Sequence, residues 1–216
     1  MNFNTARHNM LFNQIRTWDF VSPKNLDIMA QIQREEFVPI EHRKLAFSDL
    51  EIPLAHHEYM MKPGLEGQVL QALKLQGTEK VLEIGTGSGY MTALLALSAE
   101  YVTSIDIHQD FTDSAIEKLA EAKIKNCKCI HQDVFNYSST YKFDVIVFTG
   151  SLTQVPEFLL ANIKYDGKIF AIVGDYPIMT ACIITKSKDG QAKIETLYET
   201  VVKPLQTIEQ TTIFAL

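Results

Sequence analysis

Apolar residues occur along this chain in two alternating patterns, short continuous runs and longer segments with helical spacing. The clearest runs, residues 81–84 and 143–148, are rich in β-branched and aromatic residues and predict buried strands. Residues 65–75 and 111–122 place apolar side chains three and four positions apart, which predicts helices. Strands that alternate with helices in this way indicate an α/β fold with a mostly parallel sheet.

The rest of the C-terminal two thirds continues the alternation. Further helices are expected at residues 91–97 and 155–163. Asp189-Gly190 separates the last two apolar segments and is typical of a hairpin turn. The remaining strands are therefore predicted at residues 102–105, 128–130, 168–173, 181–185 and 194–202.

The first 64 residues have a different character. Ser22-Pro23 has the N-cap and first-turn pattern of a helix, and helical spacing also precedes it. Residues 37–64 are irregular and interrupted by prolines, and a long loop just ahead of a ligand-binding strand is a typical place for a lid or substrate groove. We expect one domain, with a helical and loop extension over residues 1–64 and a Rossmann-like core over residues 65–216.

Three glycines at alternate positions, Gly85, Gly87 and Gly89, follow the strand at 81–84. Strand, tight turn and helix in this order favour a ligand that lies against bare backbone and the first N–H groups of the helix. The spacing differs from the G-x-G-x-x-G of dinucleotide folds. Glu83, just ahead of the glycines, would repel a pyrophosphate but suits a cation, such as the amino group and sulfonium of S-adenosylmethionine.

Polar residues also end the neighbouring strands. Asp106 is placed to bind ribose hydroxyls, as in other nucleotide-binding α/β folds. Asp133 is a candidate acceptor for the adenine amino group, although a turn aspartate explains it equally well. Small residues from Thr149 onward close the central strand, at the edge where such sheets bind ligands. The candidate cofactor contacts are Glu83, Gly85, Thr86, Gly87, Ser88, Gly89, Asp106, Ile107, Asp133, Val134 and Thr149.

Composition narrows the class of partner. A formal net charge of −6 gives no basic face for a phosphate backbone, so we expect no nucleic-acid partner. No apolar run reaches the length of a membrane span, and the N-terminus lacks the layout of a secretion signal. Cys127, Cys129 and Cys182 form neither a C-x-x-C motif nor an even set, which favours reduced thiols. We expect a cytoplasmic monomer without a membrane partner.

These motifs resemble those of the class I S-adenosylmethionine-dependent methyltransferases, and more narrowly the protein-L-isoaspartate O-methyltransferase family. The resemblance runs from about residue 7 to residue 174. It implies a seven-stranded sheet whose last strand is antiparallel, S-adenosylmethionine as cofactor, S-adenosylhomocysteine as product, and methyl transfer to a carboxylate of an isoaspartyl protein or peptide. Besides residues 81–90, the matching positions are Arg34-Glu35-Glu36-Phe37-Val38-Pro39, Arg43, Phe47, Asp49, Ile52-Pro53-Leu54, His56 and Pro63.

The sequence departs from the family pattern beside the expected active site. Members usually read Gly-Gln-Thr-Ile-Ser-x-Pro, where residues 57–63 here read His-Glu-Tyr-Met-Met-Lys-Pro. Met61 therefore stands where the family has its active-site serine, and a thioether cannot donate a hydrogen bond. This indicates a divergent branch. Two alternatives stay open: a methyltransferase that acts on another protein or a small molecule, and a protein that binds the cofactor without catalysis. A nicotinamide dehydrogenase is a more remote alternative.

The acceptor decides which side chains the chemistry needs. A carboxylate with a pKa near 4 is already ionised at neutral pH, so alignment and exclusion of water are the main tasks. An amine, hydroxyl or thiol acceptor would need a base, for which His56 and His57 are the first candidates. Neighbouring histidines seldom bind one ion, and we expect no metal. The lid or substrate candidates are His56, His57, Tyr59 and Met61.

Overall fold

The computed structural model describes residues 2–18, 20–189 and 191–206 of the 216-residue chain. The N-terminal part consists of short helical segments and a small antiparallel ribbon. Ser22 caps the second helix by accepting a hydrogen bond from the Asn25 amide, with Pro23 in the first turn, as the sequence predicts. These elements are α1 (Phe3–His8), α2 (Pro23–Gln31), α3 (Arg34–Phe37), β1 (Ile52–Pro53) and β2 (Tyr59–Met60).

The described core is built on a seven-stranded sheet, whose strands are β3 (Lys80–Ile84), β4 (Tyr101–Asp106), β5 (Cys127–His131), β6 (Phe143–Leu152), β7 (Ile163–Asp175), β8 (Ile178–Lys186) and β9 (Ala192–Glu199). Their order in the sheet is β5-β4-β3-β6-β7-β8-β9. The strands from β5 to β7 pair in parallel, β8 pairs antiparallel with β7, and β9 pairs antiparallel with β8. The predicted mostly parallel sheet with an antiparallel closing end is therefore confirmed.

Helices connect these strands and cover the sheet. They are α4 (Pro63–Leu73), α5 (Tyr90–Ala96), α6 (Gln109–Glu121) and α7 (Glu157–Asn162). Within the described ranges, no helix has the length and apolar character needed to cross a bilayer. The helices predicted at residues 65–75, 91–97 and 111–122 agree with α4, α5 and α6 to within a few residues. Helix α7 is shorter than predicted, because Ile163 already pairs with Phe143 in the sheet.

Strand β6 is longer than its apolar run. The sequence predicted an end at Phe148, but the strand continues to Leu152, with a register shift against β7 between Val147 and Ser151. The extension is stabilised by the chain beyond β9, since the Ser151 amide donates to the Lys203 carbonyl at 3.0 Å and the Leu205 amide to the Ser151 carbonyl at 3.0 Å. The segment that pairs with this extension is about fifty residues away in the sequence, so no local pattern predicts the longer strand.

The central strand is covered on both faces, as its continuous apolar run predicts. Val145 and Val147 belong to one buried cluster, whereas Ile146 and Phe148 belong to another. Successive side chains of a strand point to opposite faces, so the two clusters pack on opposite sides of the sheet. The first cluster also takes in apolar residues of the N-terminal segments, including Met10, Leu11, Met29 and Phe37.

Arg34 is the largest of the fully buried side chains among the described residues. Its Nε and one Nη donate to the two carboxylate oxygens of Glu66 in α4, at 3.0 and 3.2 Å. The other Nη donates to the Ala46 carbonyl at 2.8 Å, and the first also donates to the Met61 carbonyl at 2.6 Å. The guanidinium lies 5.2 Å from the centroid of the Tyr90 ring. One side chain thus joins four otherwise separate segments to α3.

We expect Arg34→Met to lower the free energy of unfolding by about 3–5 kcal/mol, because it leaves the Glu66 carboxylate buried without its partner. Urea unfolding at pH 8 measures the loss. The double variant Arg34→Met/Glu66→Met removes both charges and should recover part of the lost stability. A double variant no more stable than Arg34→Met would contradict the view that the pair is held together by mutual compensation.

Candidate active site

The three glycines between β3 and α5 serve different purposes. A Cβ on Gly85 would collide with Thr149 Oγ1, and one on Gly89 would lie 2.8 Å from the Ala115 Cβ, so packing alone excludes a side chain at both. Gly87 has a φ of +50° but open space, since its Cβ would meet only Leu54, at 3.5 Å. The room above Gly87 is therefore not explained by the packing of the protein itself.

That room is part of an open cleft of about 940 Å³, a volume that includes space open to solvent. It lies at the carboxyl ends of β3, β4 and β6. A smaller cavity of about 310 Å³ shares part of its wall. Of the predicted cofactor contacts, the two walls include Gly85, Thr86, Gly87, Ser88, Asp106, Ile107, Val134 and Thr149.

Asp106 ties the glycine loop to the end of β4. Its two carboxylate oxygens accept hydrogen bonds from the amides of Gly87 and His108, each at 2.9 Å. Burial raises the pKa of this carboxyl, and the two backbone hydrogen bonds oppose the rise. Each oxygen keeps a further lone pair, so the residue can still accept hydrogen bonds from ribose hydroxyls.

Glu83 is not where the sequence interpretation placed it. Its side chain is fully buried and lies in the wall of neither cavity. One carboxylate oxygen accepts a hydrogen bond of 2.5 Å from Thr92 of α5. Thr86 and Ser104 continue the polar cluster at 2.6 Å. Because α5 covers this face of β3, the acid supports the glycine loop from beneath.

Gly89 and Asp133 also lie outside both walls. Gly89 opens α5 where the helix packs on Ala115 of α6. Asp133 caps a short 3-10 turn by accepting a hydrogen bond from the Phe135 amide at 2.9 Å. The turn role that the sequence left open for Asp133 is thus present, while its neighbour Val134 lines the cavity.

The lid and substrate candidates separate into two pairs. Tyr59 and Met61 line both cavities, and Met61 is only 7% exposed. His56 and His57 line neither of the two cavities. His56 instead contacts both oxygens of Asp110 at 2.9 Å, and the His57 carbonyl accepts a hydrogen bond from Lys203.

His56 and His57 both have left-handed backbones, with φ of 57° and 59°. The family pattern has a glycine at position 57, the residue that adopts this conformation without steric cost. A bulkier residue there costs about 1–2 kcal/mol. The glycine of the family pattern is therefore explained by backbone geometry.

His56, His108 and Asp110 bring possible ligand atoms within 4.8 Å of one another. The two imidazole rings are stacked, with centroids 3.9 Å apart and an angle of 3° between their planes. A ring nitrogen binds a metal through the lone pair in the plane of its ring, and parallel planes do not meet. As arranged, the rings do not fit one shared ion.

Sequence reasoning missed the C-terminal part of the wall. Residues 202–206 line the larger cavity, held against β6 by the Ser151 hydrogen bonds and by the Ser151 hydroxyl, which donates to the Val202 carbonyl at 3.1 Å. Lys203 reaches across from this segment and pairs with Glu58 at 2.6 Å. Glu51 is a further acid in the same wall. No periodic pattern marks these residues.

The profile of the protein-L-isoaspartate(D-aspartate) O-methyltransferase family matches residues 6–210. The chain belongs to this family. It is 32% identical to the protein-L-isoaspartate O-methyltransferase of Rhodopseudomonas palustris over 91% of each chain. It is 30% identical to that of Petrotoga mobilis over 90% of this chain and 92% of the other. Membership makes it an S-adenosylmethionine-dependent O-methyltransferase of the protein carboxyl type.

Solved structures agree on the fold. A Plasmodium falciparum chain assigned as a protein-L-isoaspartate O-methyltransferase, crystallised with S-adenosyl-L-homocysteine, superposes with a TM-score of 0.81. The match covers 95% of this chain and 99% of that one at 20% sequence identity. The fit of the cofactor here rests on this chain's own geometry, the open space over Gly87 and the free lone pairs of Asp106.

We expect Gly87→Ala to stay folded but to weaken S-adenosylmethionine binding about tenfold or more, which is 1.4 kcal/mol or more, because the added methyl takes ligand space. Calorimetric titration measures the affinity, and thermal unfolding checks the fold. Gly85→Ala is the matched control, in which the collision with Thr149 should lower the unfolding temperature itself. Undiminished affinity in folded Gly87→Ala would mean that the cofactor binds elsewhere.

Glu83 should make stability depend on pH. Burial raises the pKa of Glu83 from 4.5 to about 7, so its contribution is fully present below pH 4.5 and is lost as the pH rises through 7. Glu83→Gln stays neutral and should gain up to about 3 kcal/mol relative to the unaltered protein between pH 4.5 and 8. Urea unfolding across this range measures the difference. The control is Glu117→Gln, at an exposed position. If the difference in unfolding free energy from the unaltered protein is independent of pH for both variants, the effect is ruled out.

Proposed function

We propose that this methyltransferase transfers the methyl group of S-adenosylmethionine to the carboxylate of isoaspartyl residues in proteins or peptides. The observation that carries the proposal is that one cavity joins Gly87 and Asp106 to Met61, the position of the family's active-site serine. The curated relatives from R. palustris and P. mobilis carry the name of this activity, which supports the choice of acceptor.

The cofactor, when bound, supplies an electrophilic methyl group on a sulfonium. The glycine loop would hold it against open backbone at Gly87, with Asp106 binding the ribose hydroxyls. Ile107 and Val134 offer apolar contacts in the same wall. The acceptor carboxylate is ionised at neutral pH, so no side chain has to remove a proton. The task of this chain is therefore to align the two reactants and exclude water.

Met61 shapes the acceptor end of the cavity without a polar contribution from its side chain. Its carbonyl is held from behind by Arg34, which fixes the backbone at this position. Its thioether cannot donate the hydrogen bond that a serine hydroxyl offers to a carboxylate. The proposed reaction consequently depends on other groups to bind the acceptor.

Radiolabelled S-adenosylmethionine tests the acceptor directly. The protein is incubated with an isoaspartyl peptide and, separately, with the same peptide containing normal aspartate. Label should enter only the isoaspartyl peptide. Equal background in both would remove the isoaspartyl assignment, and turnover in a screen of small metabolites would then identify a different acceptor on the same fold.

Met61→Ser should raise kcat/KM for the isoaspartyl peptide about tenfold, since one hydrogen bond to a charged group contributes about 1.5 kcal/mol. Met61→Ala is the control because it removes the thioether and adds no hydroxyl. If Met61→Ala gains as much as Met61→Ser, steric relief rather than hydrogen bonding limits the reaction. If neither gains, Met61 does not restrict turnover.

We further propose that the chain acts as a cytoplasmic monomer, with residues 1–64 forming an extension and lid on the core at residues 65–216. The cysteines support a reducing location, since Cys127, Cys129 and Cys182 are all unpaired. Burial raises the pKa of the Cys127 thiol to about 11, which keeps it protonated and unreactive. Light scattering tests the oligomeric state, and cell fractionation tests the location.

A further inference from the structure

The wall of the larger cavity has an unusual balance of charge for an enzyme that accepts a carboxylate. Among its described residues are three carboxyl side chains, Glu51, Glu58 and Asp106, and a single lysine or arginine, Lys203. A carboxylate that enters this cavity is repelled by the acids. Lys203 is therefore the group in the described wall that can attract it with a full positive charge.

We propose that Lys203 binds the acceptor carboxylate, and that Glu58 is its partner while no acceptor is present. This assignment rests on the function proposed above and deepens it, because it names the residue that recognises the acceptor. Lys203 Nζ donates to Glu58 Oε1 at 2.6 Å and to the His57 carbonyl at 2.9 Å. An acceptor carboxylate takes the place of the Glu58 carboxylate on the same ammonium group.

The exchange is accessible and inexpensive. The side chains of Lys203 and Glu58 are 29% and 22% exposed, so an incoming ligand can reach the pair. Partly exposed ion pairs contribute little to stability, so replacing one carboxylate by another costs little. The third hydrogen-bond donor of the ammonium group is available to the acceptor during the exchange.

The backbone of Lys203 is also held in place at the wall of the cavity. Its carbonyl accepts a hydrogen bond from the Ser151 amide at 3.0 Å, which anchors its backbone to β6. Two residues later, Leu205 packs against the glycine loop, where a Cβ on Gly85 would come within 3.3 Å of its Cδ2. The lysine thus belongs to the same cavity wall as the proposed cofactor contacts and as Tyr59 and Met61.

The departures from the family pattern explain why a lysine is needed here. The family has glutamine and serine at positions 58 and 61, and both side chains can donate hydrogen bonds to a carboxylate. Glu58 and Met61 cannot. The chain has lost both donors and carries instead a cation that pairs with one of the two replacement residues.

The reaction step then balances without a proton. One carboxylate oxygen forms a bond to the methyl carbon as the bond from that carbon to sulfur breaks, and the electron pair of the broken bond stays on sulfur. The product is a neutral methyl ester and a neutral thioether. The ester no longer attracts Lys203, so Glu58 recovers its partner as the product leaves.

Two single substitutions distinguish binding of the acceptor by Lys203 from a purely structural role of the Lys203–Glu58 ion pair. We expect Lys203→Met to raise the KM for an isoaspartyl peptide tenfold or more, and Glu58→Gln to lower it, because Glu58 competes with the acceptor. Calorimetric affinity for S-adenosylmethionine should stay the same in both variants. If the pair only holds the lid shut, both substitutions break the same contact and shift KM in the same direction, which would overturn the proposal.

A second measurement uses binding alone. Each protein, saturated with S-adenosylhomocysteine, is titrated with the isoaspartyl peptide and with its counterpart in which the acceptor carboxylate is a carboxamide. The amide should bind the unaltered protein at least tenfold more weakly, and Lys203→Met should discriminate little. Equal discrimination by both proteins overturns the assignment of Lys203.

Different results would overturn the proposed isoaspartyl methylation and the proposed role of Lys203. An unaltered protein that binds S-adenosylmethionine but neither binds nor methylates the isoaspartyl peptide would overturn the proposed function, and this inference with it. Methylation by the unaltered protein, with an unchanged peptide KM in Lys203→Met, would overturn the inference alone. Thermal unfolding of each variant shows that a loss is not a loss of fold.

Discussion

The position of the cavity wall depends on one buried guanidinium. Removing Arg34 from water costs several kcal/mol, and the cost is offset because Glu66 and two backbone carbonyls together receive its hydrogen bonds. Burial raises the pKa of Glu66 to about 7, and the positive charge of Arg34 opposes that rise. Met61 is consequently placed by the interior of the protein. Its side chain can differ from the family's serine while the backbone beneath it stays where the fold requires.

The glycine loop combines two requirements that the sequence motif does not distinguish. All three glycines have a positive φ; neighbouring side chains also exclude a Cβ at Gly85 and Gly89, whereas the space at Gly87 is open. The loop is held from below by the Thr86 and Ser104 hydroxyls and from the side by Asp106. Its shape is therefore set before a ligand arrives, which reduces the ordering that binding requires.

Local patterns predicted the parts of the site whose geometry is itself local. The strands at 81–84 and 143–148, the turn that follows the first, and Asp106 all came from runs and spacing. Glu83 was misplaced because sequence gives the neighbours of a residue along the chain but not the helix that covers its face of a strand. Lys203 escaped notice because it follows β6 by about fifty residues and reaches the cavity only through backbone pairing with Ser151. The left-handed backbone of His57 could not be predicted, because a histidine in a sequence does not indicate this conformation as a glycine does.

The C-terminal segment along β6 has a consequence for the kind of protein that can be modified. Residues 202–206 and Tyr59 of the β1–β2 ribbon line the same cavity as Met61, whose side chain is only 7% exposed. A rigid, folded surface makes little contact with a side chain that is so nearly covered. Under the proposed function, this arrangement favours targets that offer the modified residue on a loop tip, a frayed end or a partly unfolded stretch over those that hold it in a compact region.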